Sequence, residues 1–427
     1  MKIADLYQLF TESTGVCTDT RNIRNGSLFF ALKGANFNGN EFADKAIGEG
    51  ASFSIVDDKQ FSDFEKAILV DDVLKTLQDL ASFHRNQLNI PVIAVTGSNG
   101  KTTTKELLNA VLSKSYEVAF TKGNLNNHIG VPLTLLEIQP KHTLALIEMG
   151  DNHPNEVALL CEIAKPNFGF VTNVGKDHLE GFGSFENNVL AKKEVFDYLN
   201  LSGGKAFVDY SDDLVKGMAQ QELEVISYGQ VGGYSFIESN GANPFVSLVS
   251  ENGVHVSTQL FGGFNFNNIK LAYCVGKYFA VPESDMCKAL ANYQPDNNRS
   301  QVLISERNTL IMDAYNANPS SVWEAVKSLL EMVTDKSKMV LLGDMFELGS
   351  FSDSEHQEMV EKVSDCHFER NVFVGENYAK TIFPDNIKVF PTKEEAEVYI
   401  KKIAPEGAII LLKGSRGMRM ETFKDML

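Results

Sequence analysis

Val92-Ile93-Ala94-Val95-Thr96-Gly97-Ser98-Asn99-Gly100-Lys101-Thr102-Thr103 is the stretch whose reading decides the fold. Val92 to Val95 form a short apolar run that reads as a strand buried on both faces, as in a parallel sheet. The glycines that follow let the backbone curl so that its N–H groups can converge on phosphate oxygens. A helix starting near Lys101 would add the positive end of its dipole. In such a loop the lysine reaches the β- and γ-phosphates and the next hydroxyl, that of Thr102, holds Mg²⁺. Residues Thr96, Gly97, Ser98, Asn99, Gly100, Lys101, Thr102 and Thr103 are therefore candidates for nucleotide binding. The loop departs from the general GxxxxGK[ST] form at one position, since Val95 stands where the first glycine would be.

Working outward, Leu144 to Met149 and Phe168 to Asn173 read as further strands, with helices at Glu186 to Asn200 and Phe266 to Phe279. Short strands alternating with helices predict a parallel α/β sheet. Tyr228 to Phe261, with Gly-Gly and Asn-Gly pairs, reads as β-hairpins. Upstream, Ser27 to Ala31 and Phe53 to Val56 read as strands, with a helix turn or two at Phe42 to Ile47. Asp71 to Leu88 has helical spacing and leads toward the phosphate loop. Downstream of Arg299, strands at Thr309 to Met312, Met339 to Leu342, Asn371 to Val374 and Ala408 to Leu412 alternate with helices near 320–332, 355–364 and 393–403. This predicts a second doubly wound unit. The fold class is α/β in three domains: a small N-terminal α/β substrate domain (1–82), a central P-loop parallel-sheet domain (83–298) and a C-terminal Rossmann-like α/β domain (299–427).

Bulk properties agree with a globular chain of this kind. The 427 residues exceed one ordinary core, and 43% hydrophobic with 22% charged residues is a soluble composition. A net charge of -17 excludes a broad nucleic-acid-binding face. The five cysteines are scattered, without CxxC or finger spacing, and read as reduced buried thiols of a cytoplasmic protein. The start, MKIADLYQLF, lacks the pattern of a signal peptide. No apolar run approaches the ~20 residues of a membrane span, so no membrane insertion is expected.

The loop does not stand alone. TGSNGKTTTK, together with Asn124 to Pro132 (NLNNHIGVP), Glu148-Met149-Gly150 and Asn173 to Glu180 (NVGKDHLE), resembles the Mur ligase family over corresponding blocks. Asp313 to Pro319 (DAYNANP), Leu342 to Gly349 (LGDMFELG) and Lys413 to Arg416 (KGSR) are similar to blocks of the branch that adds D-alanyl-D-alanine. The resemblance covers nearly the whole chain. It implies an ATP-dependent amide-bond-forming ligase whose partners are UDP-N-acetylmuramoyl-tripeptide and D-alanyl-D-alanine. A monomer is expected, although the sequence does not give the oligomeric state.

The same resemblance implies roles for individual residues. Thr102, Glu148, His178 and Lys192 would hold two Mg²⁺ ions, Lys192 as a carbamate within Ala191 to Phe196 (AKKEVF). Hard oxygen ligands suit that ion. Lys101, Lys192, His178 and Arg299 would be the catalytic set. Asn265 and Asn268, within Gly262 to Asn268, would contact base or sugar, although Phe264 replaces the usual His. Arg299 would approach the phosphates, with Asn298 in place of the usual Gly, and Asp313 would contact ribose. Thr18-Asp19-Thr20-Arg21 and Lys33-Gly34 resemble a UDP-sugar site, where Asn38 and Asn40 replace an acid and a His. Arg and Lys suit a diphosphate. Asn126, Asn127, Tyr315 and Asn318 would complete substrate binding. Two rivals are a sibling ligase with another acceptor and a P-loop switch or motor protein. The first lacks support because a DNPR-type arginine motif is absent and YNANP is present; the second needs a Walker B aspartate. The third residue of the tripeptide, diaminopimelate or lysine, and the base that deprotonates the acceptor amine stay open.

Overall fold

A computed structural model describes the whole chain apart from residues 220, 230–236, 240–244 and 251. Val92–Thr96 is fully buried and lies inside a six-stranded sheet. The strands run in the spatial order Glu224–Tyr228, Lys205–Asp209, Phe168–Val171, Val92–Thr96, Leu144–Glu148, Val118–Phe120, all parallel. The alternation along the central strand sets the packing. Val92 and Ala94 face a layer that includes Leu77, Val131, Leu160 and Phe196, while Ile93 and Val95 face Leu107, Val111, Ile269 and Leu290 on the other side. Both faces are thus covered by helices, the condition under which a continuous apolar strand is stable. Each such fully buried side chain contributes about 2 kcal/mol.

The N-terminal body is a four-stranded parallel sheet in the order Val16–Cys17, Leu28–Phe30, Phe53–Val56, Ala67–Leu69. The helix Val73–Gln87 runs unbroken through the expected boundary at residue 82. It packs on Ile3–Glu12 on one side and on Gly130–Leu136 and Glu156–Ala164 on the other, so it belongs to both bodies. The helix Ile3–Glu12 was not read from the sequence.

Tyr228 differs from its expectation. It closes a parallel strand of the central sheet rather than opening a hairpin, because Glu224–Tyr228 pairs residue for residue with Lys205–Asp209. The antiparallel reading holds further on, where Ile237–Ser239, Phe245–Val249 and His255–Phe261 form a three-stranded sheet. The Gly-Gly pair and the first Asn-Gly pair of that stretch lie outside the described residues.

The C-terminal body is a six-stranded sheet in the order Gln301–Ile304, Thr309–Asp313, Ala408–Lys413, Ser337–Gly343, Arg370–Val374, Ile387–Phe390. It is doubly wound, with one departure: the edge strand Gln301–Ile304 runs antiparallel to its neighbour. The chain enters this body through Asn298 (φ +56°) and Ser300 (φ +52°). Left-handed backbone is cheapest for Gly and next for Asn, so Asn298 can hold this turn without a glycine.

Candidate functional site

The carboxyl end of Val92–Thr96 opens into the phosphate loop. Gly97 (φ +135°) and Gly100 (φ +81°) both take left-handed backbone. The loop is tied down from the next strand: Ser98 N–H donates to Asn173 O at 2.9 Å and Asn99 N–H to Asn173 Oδ1 at 3.1 Å. The Thr172 hydroxyl donates to Asn99 O at 2.6 Å. Lys101 begins the helix Lys101–Leu112 and turns its amine back to Gly97 O and, at 3.2 Å, to Ser98 O. Enclosure and the nearby Lys192 charge push its pKa down.

A crowded set of carboxylates lies beside the loop. Thr102 Oγ1 donates to Glu148 Oε1 at 3.1 Å and Asn126 Nδ2 to the same oxygen at 2.9 Å. Lys105, nearly inaccessible, stands 3.4 Å from Glu148 Oε2. Lys192 is wholly buried, with Nζ 2.5 Å from Asp151 Oδ1 and 3.7 Å from Asp177 Oδ2. Ser98 Oγ and Asn188 Nδ2 donate to Asp177 Oδ1 at 2.5 and 2.6 Å. Burial alone raises the Asp177 pKa, but Lys192, Lys101 and the Ser98 hydroxyl outweigh it and hold the carboxyl below its ordinary range. Glu148 Oε2, Asp151 Oδ2 and Asp177 Oδ2 are buried without a hydrogen-bond partner. Lys105 and Lys192 face the first and the last of these oxygens at 3.4 and 3.7 Å, and among the described residues no three acidic, histidine or cysteine side chains gather closely enough to hold a metal by themselves.

Across the cleft stands the C-terminal body. Asp313 takes Lys413 Nζ at 2.5 Å and Ser300 N–H at 3.0 Å. The Arg299 guanidinium stacks 3.7 Å above the Tyr315 ring, and that of Arg416 lies 5.4 Å from the same ring. Asn318 caps the helix Pro319–Glu331 and donates to Asn99 Oδ1 of the phosphate loop at 2.8 Å. His178 meets Glu347 of the opposite body at 2.6 Å, and the imidazole holds that carboxyl below its usual range. Together these walls enclose a cleft of about 940 Å³.

Three family profiles match the chain in succession: Mur ligase family, catalytic domain, over residues 12–92; Mur ligase middle domain over 95–276; and Mur ligase, glutamate ligase domain, over 298–416. UDP-N-acetylmuramoyl-tripeptide--D-alanyl-D-alanine ligase of Bacillus subtilis is 32% identical over 97% of this chain and 93% of its own length. The chain belongs to the Mur ligase family. The enzyme of the same name from Escherichia coli is also 32% identical, over 95% of this chain and 92% of that one. Among solved structures, MurF of Acinetobacter baumannii superposes with a TM-score of 0.88 at 30% identity, covering 98% of this chain and 97% of that one. MurF ligase of Thermotoga maritima, solved with ADP, gives 0.86 at 26% identity, covering 100% and 98%.

Within this Mur ligase, the expected site residues divide into three groups. Ser98 to Thr103, Asn126, Asn127, Glu148, His178, Asn265, Asn268, Arg299, Asp313, Tyr315 and Asn318 all line the one cleft. Thr96 and Lys192 lie fully buried behind it. Of the expected metal ligands only Thr102 and Glu148 touch; the His178 ring is held by Glu347 and Lys192 by the two aspartates. Asn265 and Asn268 line the cleft but spend their amides inside the protein. Asn265 Nδ2 donates to Phe261 O at 2.7 Å, Asn268 Nδ2 to Asn265 Oδ1 at 2.8 Å, and Thr104 Oγ1 to Asn268 Oδ1 at 3.1 Å.

The N-terminal residues stand apart from that cleft. Thr18 and Asp19 line a second one, of about 430 Å³, between the N-terminal sheet and residues 118–142 of the central body. Arg21 folds onto Asp19 at 2.7 Å and Lys33 pairs with Asp57 at 2.8 Å. Gly34 lies in a two-residue strand next to Phe37, and Thr20 starts a short turn capped by Asp19. Asn40 is buried and donates to both Asn38 Oδ1 and Asp57 Oδ1 at 2.9 Å, so these departures from the family pattern hold the loop.

Several site groups carried no role in the sequence reading: Asp151, Asp177, Lys105, Lys413 and Arg416. All but Asp151 sit inside TGSNGKTTTK, NVGKDHLE or KGSR, so the signal was present without a partner to interpret it. His356 is another. Its ring is buried, Nδ1 faces Ser352 O at 2.7 Å and Nε2 accepts Met345 N–H at 3.1 Å, which pins the loop carrying Phe346 and Glu347 into the cleft.

Gly97 offers a direct check of the loop. A Cβ there would fall 2.1 Å from Thr172 Oγ1 and 2.8 Å from Thr172 N, on backbone that side chains rarely adopt. Gly97→Ala should lower stability by at least ~2 kcal/mol and weaken nucleotide binding. A variant that melts with the wild type and binds nucleotide equally would show that the loop is built differently.

Proposed function

We infer that the chain joins D-alanyl-D-alanine to UDP-N-acetylmuramoyl-tripeptide at the expense of ATP, giving the UDP-linked pentapeptide precursor of peptidoglycan. The observation that carries this reading is the single cleft. Its central wall is a phosphate loop with carboxylates, and its other wall holds two arginines, Tyr315 and Asp313. Relatives of full length that bear this activity in their names support it. ATP is the nucleotide, in keeping with the ADP complex of the Thermotoga maritima relative.

The tripeptide's terminal carboxylate attacks the γ-phosphorus, the bond to ADP breaks, and an acyl phosphate forms. The dipeptide amine then attacks the acyl carbon, loses its proton, and inorganic phosphate leaves with the C–O electron pair. Lys101 and Arg299 are proposed to neutralise charge on the phosphoryl group in flight, and the loop N–H groups orient it. Domains that meet around the cleft keep water from the acyl phosphate.

Thr102 and Glu148 are proposed to hold one Mg²⁺, and His178 with a carbamylated Lys192 a second. Glu148, with one carboxylate oxygen lacking a hydrogen-bond partner, and Thr102 beside it fit the first of these ions. Bound Mg²⁺ supplies positive charge that polarises the phosphates. The second cleft, at Thr18 and Asp19, is proposed to receive the UDP end. Five buried free thiols, and the absence among the described residues of any helix long and apolar enough to cross a membrane, support a cytoplasmic enzyme.

The deciding experiment measures ADP release with each substrate omitted in turn, using tripeptides ending in diaminopimelate and in lysine. Sustained release should require UDP-tripeptide and dipeptide together, with the condensed product seen by mass spectrometry. Sustained ADP release without the dipeptide would overturn the reading.

A further inference from the structure

The cations lining the main cleft are unequally committed. Lys101 is engaged by carbonyls of its own loop, and Lys413 by Asp313 Oδ2 at 2.5 Å and Asn316 O at 3.3 Å. Arg299 and Arg416 have no hydrogen-bond or ion-pair partner among the described residues, yet both guanidiniums gather on the Tyr315 ring, 3.7 and 5.4 Å from its centre. Positive charge is thus left uncompensated at two separate points beside one ring, and anionic groups entering the cleft are drawn to it.

The two arginines differ in setting. Arg299 sits at the domain joint with Nε buried and unpartnered. Arg416 is exposed, at the turn that follows the strand Ala408–Lys413, entirely within the C-terminal wall. Beside it lies Phe346, part-exposed in the cleft and held there by its own N–H to Ser415 Oγ at 2.8 Å. The Phe346 ring closes on Gly417 so tightly that a Cβ there would come within 2.8 Å of it. An uncommitted guanidinium and an apolar ring, carried on the loops after two neighbouring strands, thus share one wall of the cleft.

That pair matches the acceptor. The dipeptide amine must be uncharged to attack, so the carboxylate is the remaining charged handle by which the protein can orient it. A planar guanidinium binds a carboxylate through two parallel hydrogen bonds. The small methyl groups then need an apolar surface next to that cation. We propose that Arg416 takes the carboxylate of the acceptor dipeptide and that Phe346 contacts its methyl groups, fixing the direction from which the amine arrives. The assignment rests on the ligase reading above.

The test is steady-state kinetics on Arg416→Gln, Arg416→Lys and Phe346→Ala, with D-alanyl-D-alanine and its C-terminal amide as acceptors. Arg416→Gln should raise the KM for the dipeptide by at least ~30-fold, the scale of one lost charged hydrogen-bond pair. KM for ATP and for the UDP-tripeptide should stay within a factor of ~3. Arg416→Lys keeps the charge without the fork and should fall between. The amide should be a poor acceptor for the wild type, and no poorer for Arg416→Gln, because the lost partner is the same. Phe346→Ala should raise the dipeptide KM by ~10-fold. An unchanged dipeptide KM in Arg416→Gln, or a rise confined to ATP, would overturn the assignment and leave the ligase reading standing. A wild-type protein that does not ligate the dipeptide at all would overturn both.

Discussion

Lys101→Ala should lower kcat by at least ~100-fold, comparable with removing one preorganised electrostatic donor. The amine sits where the loop curls, between Gly97 O and Ser98 O, at the first residue of the helix Lys101–Leu112. A unit charge ~4 Å from a developing phosphoryl charge is worth ~4 kcal/mol at an effective dielectric of 20, and ~1.4 kcal/mol is tenfold in rate. The lost side chain makes no ion pair among the described residues, so the variant should melt within a few degrees of the wild type. Near-normal turnover in that folded variant would remove Lys101 from the chemistry.

Lys192→Ala should cost both activity and stability. The side chain is wholly buried, 2.5 Å from Asp151 and 3.7 Å from Asp177. For the unmodified amine, removing the cation leaves two carboxylates buried and uncompensated, a loss on the order of 3–5 kcal/mol. Activity should fall further than stability explains if the residue works as a carbamate, formed when its neutral amine adds CO₂ and releases a proton. Carbon-labelled bicarbonate should then give a carbamate resonance in the wild type that is missing from Lys192→Ala. A short carboxylate such as acetate should restore part of the activity by filling the vacated space. Lys193→Ala should be mild. That residue is about 100° around the helix, part-exposed, and pairs with Asp197 one turn on, a surface contact worth ~0.3–0.5 kcal/mol. Equal losses in the two variants would show that the register of this motif is wrong, and a wild type without the resonance would remove the carbamate.

The strands that were legible in the sequence are short apolar runs. Leu28–Phe30, Phe53–Val56, Val92–Thr96, Leu144–Glu148, Phe168–Val171, Thr309–Asp313, Ser337–Gly343, Arg370–Val374 and Ala408–Lys413 agree with their expectations to within two residues. A strand buried on both faces is apolar at most positions, and that pattern is local. Val16–Cys17 and Ala67–Leu69 are too short to carry any period, so nothing marks them until their neighbours are in place. The antiparallel edge Gln301–Ile304 was illegible for another reason: strand direction is a property of the pairing.

The same division runs through the site. By itself the sequence determined the phosphate loop, the helix it opens and the family, because a glycine curl followed by Lys and Thr is a contiguous chemical statement. It also marked Glu148, His178, Arg299 and Asp313 through motifs. Only the tertiary structure decided who faces whom. Asp151 and Asp177 follow the two strands that flank Val92–Thr96, and Lys192 reaches them from the helix Phe185–Ser202. Arg299 and Arg416 come to one ring because strands distant in sequence are neighbours in the C-terminal sheet. A buried charge must find its partner wherever the fold delivers it, and that delivery depends on the packing of whole layers, which no local window of sequence contains.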